Sequence, residues 1–529
     1  MVLVAAVALA VSACGSGLSG GPTGSASDAP TAIASATAGP AAPGAATAIP
    51  TDTPVPSAVP LVPLVPIVTY WSAQRTISRT DIALLLSGRR PTGDQAFTSL
   101  ALAAVDAAPL ASTLGVAVSP AVRLLSPAGV VAAVRASPAT LGFIRAQDVS
   151  SDVRALSVDG ASLFGAGRVK SVAAWPLDVT SGTPSTFDIA NEWTLTAGGD
   201  VNLDRSVFVQ TVTNGKGADY PWDGGTARIA GSSCCGYQGA SLVVARRTGN
   251  TGAFRALLSA SDLSIVNLEG PASVNFVHRA DGFQFAVDPA LLIGLRDAGI
   301  DAVSLANNHI RNAGDEGVIE TCAKLDSIGV AHAGAGTTAA AASAPAMLSA
   351  GGLRVAFLAF DAQEPANWVA PGRAGAAPML IDSVVADIKA ARAAGANFVI
   401  VMPHWGVEYS EYISPLQRSE AAAMVAAGAD VIIGSHTHVA GGMQTFTEPS
   451  GDQAFVVYSL GNLLFDFNHN EATQEGVIDD LTFIGTRLVQ VDLHPTIMVD
   501  DSQVNLLDPA GAQRVLDRIR AASDHYLDW

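Results

Sequence analysis

Asp301-Ala-Val-Ser-Leu-Ala-Asn-Asn-His-Ile310 joins an apolar run to a cluster of polar side chains. Residues 301–305 are largely β-branched and apolar, which predicts a buried strand. The run stops at Asn307, Asn308 and His309, and three successive polar side chains cannot continue a buried strand unless each finds a partner. The carboxyl end of a strand in an α/β sheet is where ligands bind, an Asn oxygen can ligate a metal, and an imidazole can donate a proton. The stretch therefore predicts a strand that carries functional groups to one edge of a sheet.

The same arrangement recurs along the chain. Strands are predicted at residues 193–200, 264–269, 397–402 and 430–434, and each ends at or just before a potential ligand: Asp200, Glu269, His404, and then His436 with His438. Strand ends of a shared sheet lie at one rim, so these side chains and Asn308 can converge. A carboxylate can bridge two cations, and this mixture of nitrogen and oxygen ligands suits Mn, Fe or Zn. The pattern predicts two divalent metal ions, which together can grip a phosphate and activate a bound water.

Each candidate also has a structural interpretation when it is taken alone. A histidine near a strand end is more often a hydrogen-bonded structural residue, and Gly-Asp or Asn-Asn pairs are common in turns. His436 and His438 are separated by one residue, so an extended backbone would direct them to opposite sides. Both reach one site only in a turn, or they serve two different metals. The metal prediction therefore depends on the joint pattern.

Length and charge limit the function classes. The chain has 529 residues, which predicts two or three domains. Its formal net charge of −18 argues against nucleic-acid binding. Residues 1–14 resemble a lipoprotein-type signal peptide, an apolar segment with small residues before the predicted lipidation site Cys14, although no Lys or Arg precedes it. We expect an extracytoplasmic protein held on the membrane by a lipid anchor; a plain secretory signal and a secreted protein are the alternative.

Composition divides the rest of the chain. Residues 15–66 are rich in Ala, Pro and Thr and predict a disordered linker. Residues 67–188 predict a small α/β domain. Its blocks Leu141-Gly-Phe-Ile144 and Leu156-Ser-Val-Asp-Gly160 resemble one lobe of a phosphate-type solute-binding protein, and a purely structural domain is the alternative. Residues 189–495 form the predicted main domain, in which residues 211–250 are expected to be an inserted Gly-rich loop, and residues 496–529 are expected to form a C-terminal tail with a helix.

Motifs of the main domain resemble, in order, those of the CapA family, which is named for poly-γ-glutamate capsule biosynthesis and is similar to calcineurin-like metallophosphoesterases. The motifs are Gly199-Asp-Val201, Asn267-Leu-Glu269, Leu305-Ala-Asn-Asn-His309, His404-Trp-Gly-Val-Glu408, Gly428-Ala-Asp430, Gly434-Ser-His-Thr-His438 and Tyr458-Ser-Leu-Gly-Asn462. The resemblance covers about residues 193–495. It implies an α/β fold, a four-layer α-β-β-α sandwich.

The resemblance also implies a role for each candidate. The ligands of the first metal would be Asp200 and His438, the bridging ligand Glu269, and the ligands of the second metal Asn308, His404 and His436. The catalytic general acid, or the contact to the transition state, would be His309. The sequence departs from the metallophosphoesterase pattern twice: Asn202 takes the third place of the Asp-x-His signature, and Asn312-Ala-Gly314 stands where the family tends to have Asp-Tyr-Gly.

Two functions follow from the resemblance. The first is a cell-surface, metal-dependent hydrolase or phosphoesterase in capsule or poly-γ-glutamate biosynthesis, acting on a cell-surface polymer or a phosphoester. The second is a non-catalytic, membrane-tethered partner of a polymer synthase or export complex, in which the site is structural. The departure at Asn202 supports the second.

Overall fold

The computed structural model describes residues 60–91, 97–448 and 451–523. Cys14, the predicted signal peptide and most of the predicted linker lie outside these residues. Within the described ranges, no helix has both the length and the apolar character needed to cross a membrane.

The first part of the described chain builds a six-stranded sheet with its own hydrophobic core. Its elements are β1 (Leu61–Thr69), β2 (Thr76–Ile77), α1 (Arg79–Leu86), β3 (Ser99–Ala103), α2 (Ala107–Leu114), β4 (Arg123–Leu125), α3 (Pro127–Arg135), β5 (Thr140–Arg145), β6 (Val153–Ala155), β7 (Ser157–Val158) and β8 (Asp178–Thr180). The sheet order is β4-β3-β5-β1-β6, β8 also pairs with β1, and β2 pairs separately with β7. β1 begins inside the predicted linker, because Val62, Leu64 and Val65 are buried between its prolines.

The rest of the chain builds two larger sheets and their covering helices. The strands are β9 (Glu192–Val201), β10 (Thr226–Ser233), β11 (Leu242–Gly249), β12 (Leu263–Leu268), β13 (Ala302–Ser304), β14 (Ala331–Ala333), β15 (Ala335–Gly336), β16 (Ala346–Ala350), β17 (Leu353–Asp361), β18 (Gly375–Ala376), β19 (Phe398–His404), β20 (Val431–Ile433), β21 (Met443–Thr447), β22 (Gln453–Val457), β23 (Asn462–Leu464), β24 (Glu475–Ile484), β25 (Arg487–Val499) and β26 (Gln503–Leu507). The helices are α4 (Arg205–Phe208), α5 (Ala253–Ala260), α6 (Ile293–Ala298), α7 (Gly314–Ile328), α8 (Ala339–Ala342), α9 (Ile381–Ala393), α10 (Pro415–Ala427) and α11 (Pro509–Ser523).

The two sheets lie face to face. The first has the order β11-β10-β26-β25-β24-β9-β12-β13-β14, with β23 also paired to β9, and the second has the order β16-β17-β19-β20-β22-β21. Leu195 and Ile265 of the first sheet share one buried cluster with Phe357 and Ile400 of the second. Helices α5, α6 and α7 cover the outer face of the first sheet, and α9 and α10 cover that of the second. The predicted four-layer α-β-β-α sandwich is therefore confirmed.

The strand β19 illustrates why the sequence forms these layers. Phe398, Ile400 and Met402 point between the sheets, whereas Val399 and Val401 pack under α9 and α10. Side chains alternate along a strand, so a strand covered on both faces needs an unbroken apolar run. The run ends at His404, the last residue of the strand.

Two predictions about the edges of the main domain were wrong. Residues 211–250 are not only a loop, because they contain the hairpin β10–β11 at the edge of the first sheet. The boundary at residue 495 falls inside β25, and β26 and α11 belong to the main fold instead of a tail. Val515, Leu516 and Ile519 of α11 enter the core between the sheets, and Arg518 Nη2 lies 2.8 Å from the buried carboxylate of Glu475.

An ion-pair network links the first six-stranded sheet to the main sheets. Arg75 Nη1 donates to Asp492 Oδ2 at 2.6 Å, and Arg154 Nη1 lies 3.5 Å from Asp492 Oδ1. Arg154 is only 2% exposed, so its guanidinium has little water to compensate its charge. Nearby, the backbone N–H of Ala166 donates to Asp480 at 2.8 Å. At the junction, the buried guanidinium of Arg154 is therefore compensated by the carboxylate of Asp492 and by the backbone carbonyl oxygens of Ser72 and Gln74.

Candidate metal centre

The candidate ligands come from both large sheets. β9, β12 and β13 are parallel neighbours, so Asp200, Glu269 and Asn308 lie at one rim of the first sheet. β19 and β20 are parallel neighbours in the second sheet, which places His404 beside the loop that carries His436 and His438. The structure therefore brings all six predicted ligands to one rim of the sandwich.

The first group of candidate ligands contains Asp200, Glu269 and His438. One potential ligand atom from each lies within 4.8 Å of the others, and all three residues are buried. His438 Nδ1 is 3.5 Å from Asp200 Oδ2 and 2.9 Å from Asn462 Oδ1, and its Nε2 is 3.9 Å from Glu269 Oε1. If Nδ1 donates its proton to Asn462, then Nε2 keeps a lone pair that can bind a cation.

The second group is centred on His404. Its Nε2 lies 3.0 Å from Asn308 Oδ1, 3.1 Å from His436 Nδ1 and 3.9 Å from Glu269 Oε1. Its Nδ1 lies 3.0 Å from Ser435 Oγ, which can hold the ring in place. Two ring nitrogens and a carbonyl oxygen therefore face one another, a donor set that suits a divalent transition metal.

Glu269 stands between the two groups. Its carboxylate is fully buried, and neither oxygen has a hydrogen-bond partner among the described residues. A buried carboxylate without donors is costly unless a positive charge compensates it. The position of Glu269 and its unpaired oxygens therefore fit a bridging ligand.

Burial shifts the pKa values of the carboxylates and imidazoles in the site. Burial raises the pKa of Asp200 to about 7 and the pKa of Glu269 well above its ordinary value. It lowers the pKa of His436 to about 3, and it also lowers the pKa values of His404 and His438 well below the ordinary value. The imidazoles are therefore neutral at physiological pH, which is the state that binds metals.

His309 lies on the more open side of the cluster. Its side chain is 13% exposed, and its Nε2 is 3.7 Å from Glu269 Oε1. Its Nδ1 lies 3.1 Å from Asn312 Oδ1, and that oxygen also accepts the backbone N–H of Phe285 at 2.8 Å. Burial is the main reason that the pKa of His309 falls to about 4. Asn312, one of the two departures, therefore orients His309 without adding charge.

The other departure, Asn202, does not point toward the candidate ligands. Its amide Nδ2 donates to the carbonyl oxygen of Glu269 at 3.3 Å, and its Oδ1 accepts the backbone N–H of Asp204 at 2.8 Å. Asn202 therefore fixes the backbone of Glu269. The first group lacks a side chain from this position.

The turn that carries His436 and His438 has an unusual backbone. Their φ angles are 94° and 58°, in the left-handed region that costs a non-glycine residue roughly 1–2 kcal/mol. The backbone N–H of His436 donates to Asp200 Oδ2 at 3.2 Å, which helps to hold the turn. The two residues thus lie in a turn, and their imidazoles face different groups of candidate ligands. Non-glycine residues in such conformations cluster at functional sites.

The sequence interpretation gave no role to some residues of the site. Asn267 Nδ2 donates to Asp200 Oδ1 at 2.8 Å and lies 3.4 Å from His404 Nδ1. The rings of Phe465 and Phe467 pack against His438 at centroid distances of 5.0 and 4.6 Å. The sequence does contain a signal for Asn267, because it is a polar residue inside the apolar run of β12. No local pattern indicates that Phe465 and Phe467 pack against His438.

The chain forms a four-layer α-β-β-α sandwich, and two groups of candidate ligands share Glu269 at its rim. The sequence model of the family described as bacterial capsule synthesis protein PGA_cap matches residues 194–467. The chain belongs to this family.

Individual proteins are similar to parts of the chain. The chain is 34% identical over 176 residues to the capsule biosynthesis protein CapA of Bacillus anthracis, covering 32% of this chain and 42% of that protein. It is 27% identical over 217 residues to the PGA biosynthesis protein CapA of Bacillus subtilis strain 168, covering 40% and 55%. The chain thus spans about half the length of these curated relatives. The calcineurin-like phosphoesterase YfkN of Bacillus subtilis is 13% identical, with a TM-score of 0.29 over 63% of this chain and 96% of that one.

Proposed function

We propose that the chain is a metal-dependent, phosphoesterase-like hydrolase that serves capsule or poly-γ-glutamate biosynthesis at the cell envelope. Glu269 carries the proposal. It is a fully buried carboxylate without a hydrogen-bond partner in the described chain, set between two groups of nitrogen and oxygen ligands. Family membership supports the biosynthetic role.

In this proposal, Asp200, Glu269 and His438 would hold one metal, and Asn308, His404 and His436 would hold the other together with Glu269. Two such ions, when bound, would hold an anionic ester group and lower the pKa of a water molecule. The surrounding residues orient the ligands: Asn462 holds His438, Ser435 holds His404, and Asn267 holds Asp200.

His309 is the residue we assign to substrate contact. Asn312 holds Nδ1, so Nε2 faces the cluster, where it lies 3.3 Å from Asn308 Nδ2 and orients that amide. Burial lowers the pKa of His309 to about 4, so the ring is neutral at pH 7 and Nε2 offers a lone pair that can accept a hydrogen bond from a bound substrate or water.

We expect two histidine variants to separate metal binding from turnover. His404→Ala should remove most bound metal, because His404 is the centre of the second group. His309→Ala should retain the metal but reduce phosphodiester turnover about 100-fold or more, the usual contribution of a general acid or base. Elemental analysis and hydrolysis of bis(p-nitrophenyl) phosphate measure the two effects.

His332→Ala is the matched control, because this histidine lies on β14 and pairs with exposed Asp326 instead of the site. It should leave metal content and turnover unchanged. Metal content in His404→Ala equal to that of the unmodified protein would contradict the proposed centre.

The alternative is a non-catalytic, membrane-tethered partner of a polymer synthase or export complex, with a structural metal site. The orientation of Asn202 away from the first group favours it. Under this alternative, the metal-loaded protein would turn over neither a broad panel of phosphoesters nor poly-γ-glutamate, and His309→Ala would change nothing measurable.

We also propose that Cys14 is lipidated and holds the protein on the outer side of the membrane. In a bacterial host, Cys14→Ser should move the protein from the membrane fraction to the soluble or secreted fraction, because the lipid chains provide the membrane affinity. Metabolic labelling with a fatty acid checks the modification directly. An equal membrane fraction for Cys14→Ser, without labelling of the unmodified protein, would favour the secretory alternative.

A further inference from the structure

A cleft opens at one edge of the first six-stranded sheet, away from the metal ligands. β4, β3 and β5 are parallel neighbours, and the chain leaves their carboxyl ends at Pro127, Asp106 and Arg145. The cleft has a volume of about 470 Å³, and the segment from Thr180 to Thr183, after β8, lines its other side. The carboxyl ends of parallel strands are the usual ligand position in open α/β sheets, and the volume suits a small molecule.

An ion pair between a buried carboxylate and a partly exposed guanidinium forms one wall of this cleft. Asp106 is 1% exposed, and it accepts from Arg145 Nε at 3.1 Å and from Arg145 Nη2 at 2.8 Å. This two-point contact holds the planar guanidinium in one orientation. The remaining nitrogen, Arg145 Nη1, has no hydrogen-bond partner among the described residues, and Arg145 lines the cleft. A positioned donor is therefore available to a ligand.

The same cleft offers acceptors. Asp148 lines it and is close enough to Arg145 for their charges to interact, and Ser181 contributes a buried hydroxyl. Gln147 Oε1 accepts from Ser185 Oγ and from the backbone N–H of Thr186, both at 3.0 Å, which ties down the chain that follows the Thr180–Thr183 segment. With Arg145, Asp106 and Asp148 together, the cleft carries one positive and two negative formal charges. A simple anion is therefore poorly matched, and a ligand that brings its own donor is favoured.

We propose that this cleft binds a small molecule with an anionic oxygen group next to an N–H or O–H donor. Arg145 Nη1 donates to the anionic group, and Asp148 accepts from the donor. An amino acid such as glutamate and inorganic hydrogen phosphate both have this chemistry. The site is independent of the proposed metal-dependent function, because it is built on a different sheet.

Calorimetric titration of the full-length protein with L-glutamate and, separately, with inorganic phosphate tests the proposal. We expect saturable binding of one probe, which shows whether the ligand is an amino acid or phosphate. Acetate should bind more weakly, because it has no N–H or O–H donor. Arg145→Lys should weaken binding of the probe about tenfold. Lysine keeps the positive charge beside Asp106 but lacks the planar guanidinium with its donors in fixed positions. Asp148→Asn should also weaken binding of this probe.

Arg123→Gln is the control, because Arg123 is exposed at the opposite, amino end of β4 and should not affect binding. The metal centre can also attract phosphate, so the titrations are repeated with His404→Ala. Binding that survives in His404→Ala and weakens in Arg145→Lys supports the cleft. Binding that is lost in His404→Ala but unchanged in Arg145→Lys, or no binding of either probe at millimolar concentration, overturns it. Thermal melting shows whether Arg145→Lys remains folded.

Discussion

Glu269→Gln is expected to abolish metal binding at both groups and to reduce any metal-dependent turnover by more than the roughly 10–100-fold that loss of a residue orienting a metal ligand costs. The amide has one oxygen and no charge, so it can neither bridge two cations nor balance them. Elemental analysis and turnover of a chromogenic phosphodiester give the two readouts. This is the largest functional effect we expect from a single substitution, because Glu269 alone faces both groups.

The effect of Glu269→Gln on the free energy of unfolding should differ in sign between metal-free and metal-loaded protein. Without metal, Glu269→Gln should be at least as stable as the unmodified protein, because the amide avoids the cost of a buried carboxylate without partners. With metal, the unmodified protein should gain about 2.7 kcal/mol at a free metal concentration of 100 Kd, whereas the variant should not. Thermal melting with chelator and with added Mn or Zn measures both differences.

Glu192→Gln provides the matched control. Glu192 is also a buried carboxylate without a hydrogen bond, and it lies at the opposite, amino end of β9. Its substitution should leave the metal-dependent rise in melting temperature intact. Equal rises for the unmodified protein and Glu269→Gln would show that Glu269 does not bind metal.

Asp492→Asn is expected to cost about 3–5 kcal/mol of unfolding free energy, because it removes the negative charge that compensates the buried guanidinium of Arg154 and leaves it only backbone carbonyl acceptors. Arg154 is 2% exposed, and Asp492 is the carboxylate that faces it across the junction between the sheets. Chemical denaturation of the variant measures the loss. The exposed pair of Arg135 and Asp152 supplies the control, since Asp152→Asn should cost at most about 1 kcal/mol. Similar losses for the two variants would contradict this account of the junction.

This network also predicts a pH dependence. Burial alone would raise the pKa of Asp492, but Arg75 and Arg154 outweigh it and hold the pKa below the ordinary value of 3.8. The stabilisation is therefore fully present above pH 3.8 and is lost as the pH falls below it, because the unfolded chain then binds a proton more readily than the folded one. In Asp492→Asn, the loss of stability in this acid range should be smaller.

Particular residues show how far the sequence predicts this structure. His404 and Asn308 were identifiable because each follows an apolar strand at its carboxyl end, where a buried polar side chain requires a partner. Asn267 carried no assigned role, because its partners Asp200 and His404 are distant in sequence and only the folded sheets bring them together. The hairpin β10–β11 was missed because it is mostly exposed, with Ala227 and Val243 as its buried residues, so no alternating apolar pattern marks it.

The strand β24 shows a second reason why sequence patterns fail to predict parts of this fold. It is buried along almost its whole length, yet it contains Asp479, Asp480 and Thr482, which hide the apolar run expected of a central strand. Asp480 and Thr482 accept backbone N–H groups of Ala166 and Gly165 from the other end of the described chain. Such polar pairs become favourable only in the assembled protein, so sequence patterns do not anticipate them.

The division of the ligands between the two sheets has a kinetic consequence. Asp200 and His436 are 236 positions apart, and their contact requires the closure of a very long loop. A cation could therefore be captured only after both sheets have formed and met, late in folding. A cation bound at this stage would mainly slow unfolding and would have little effect on the folding rate.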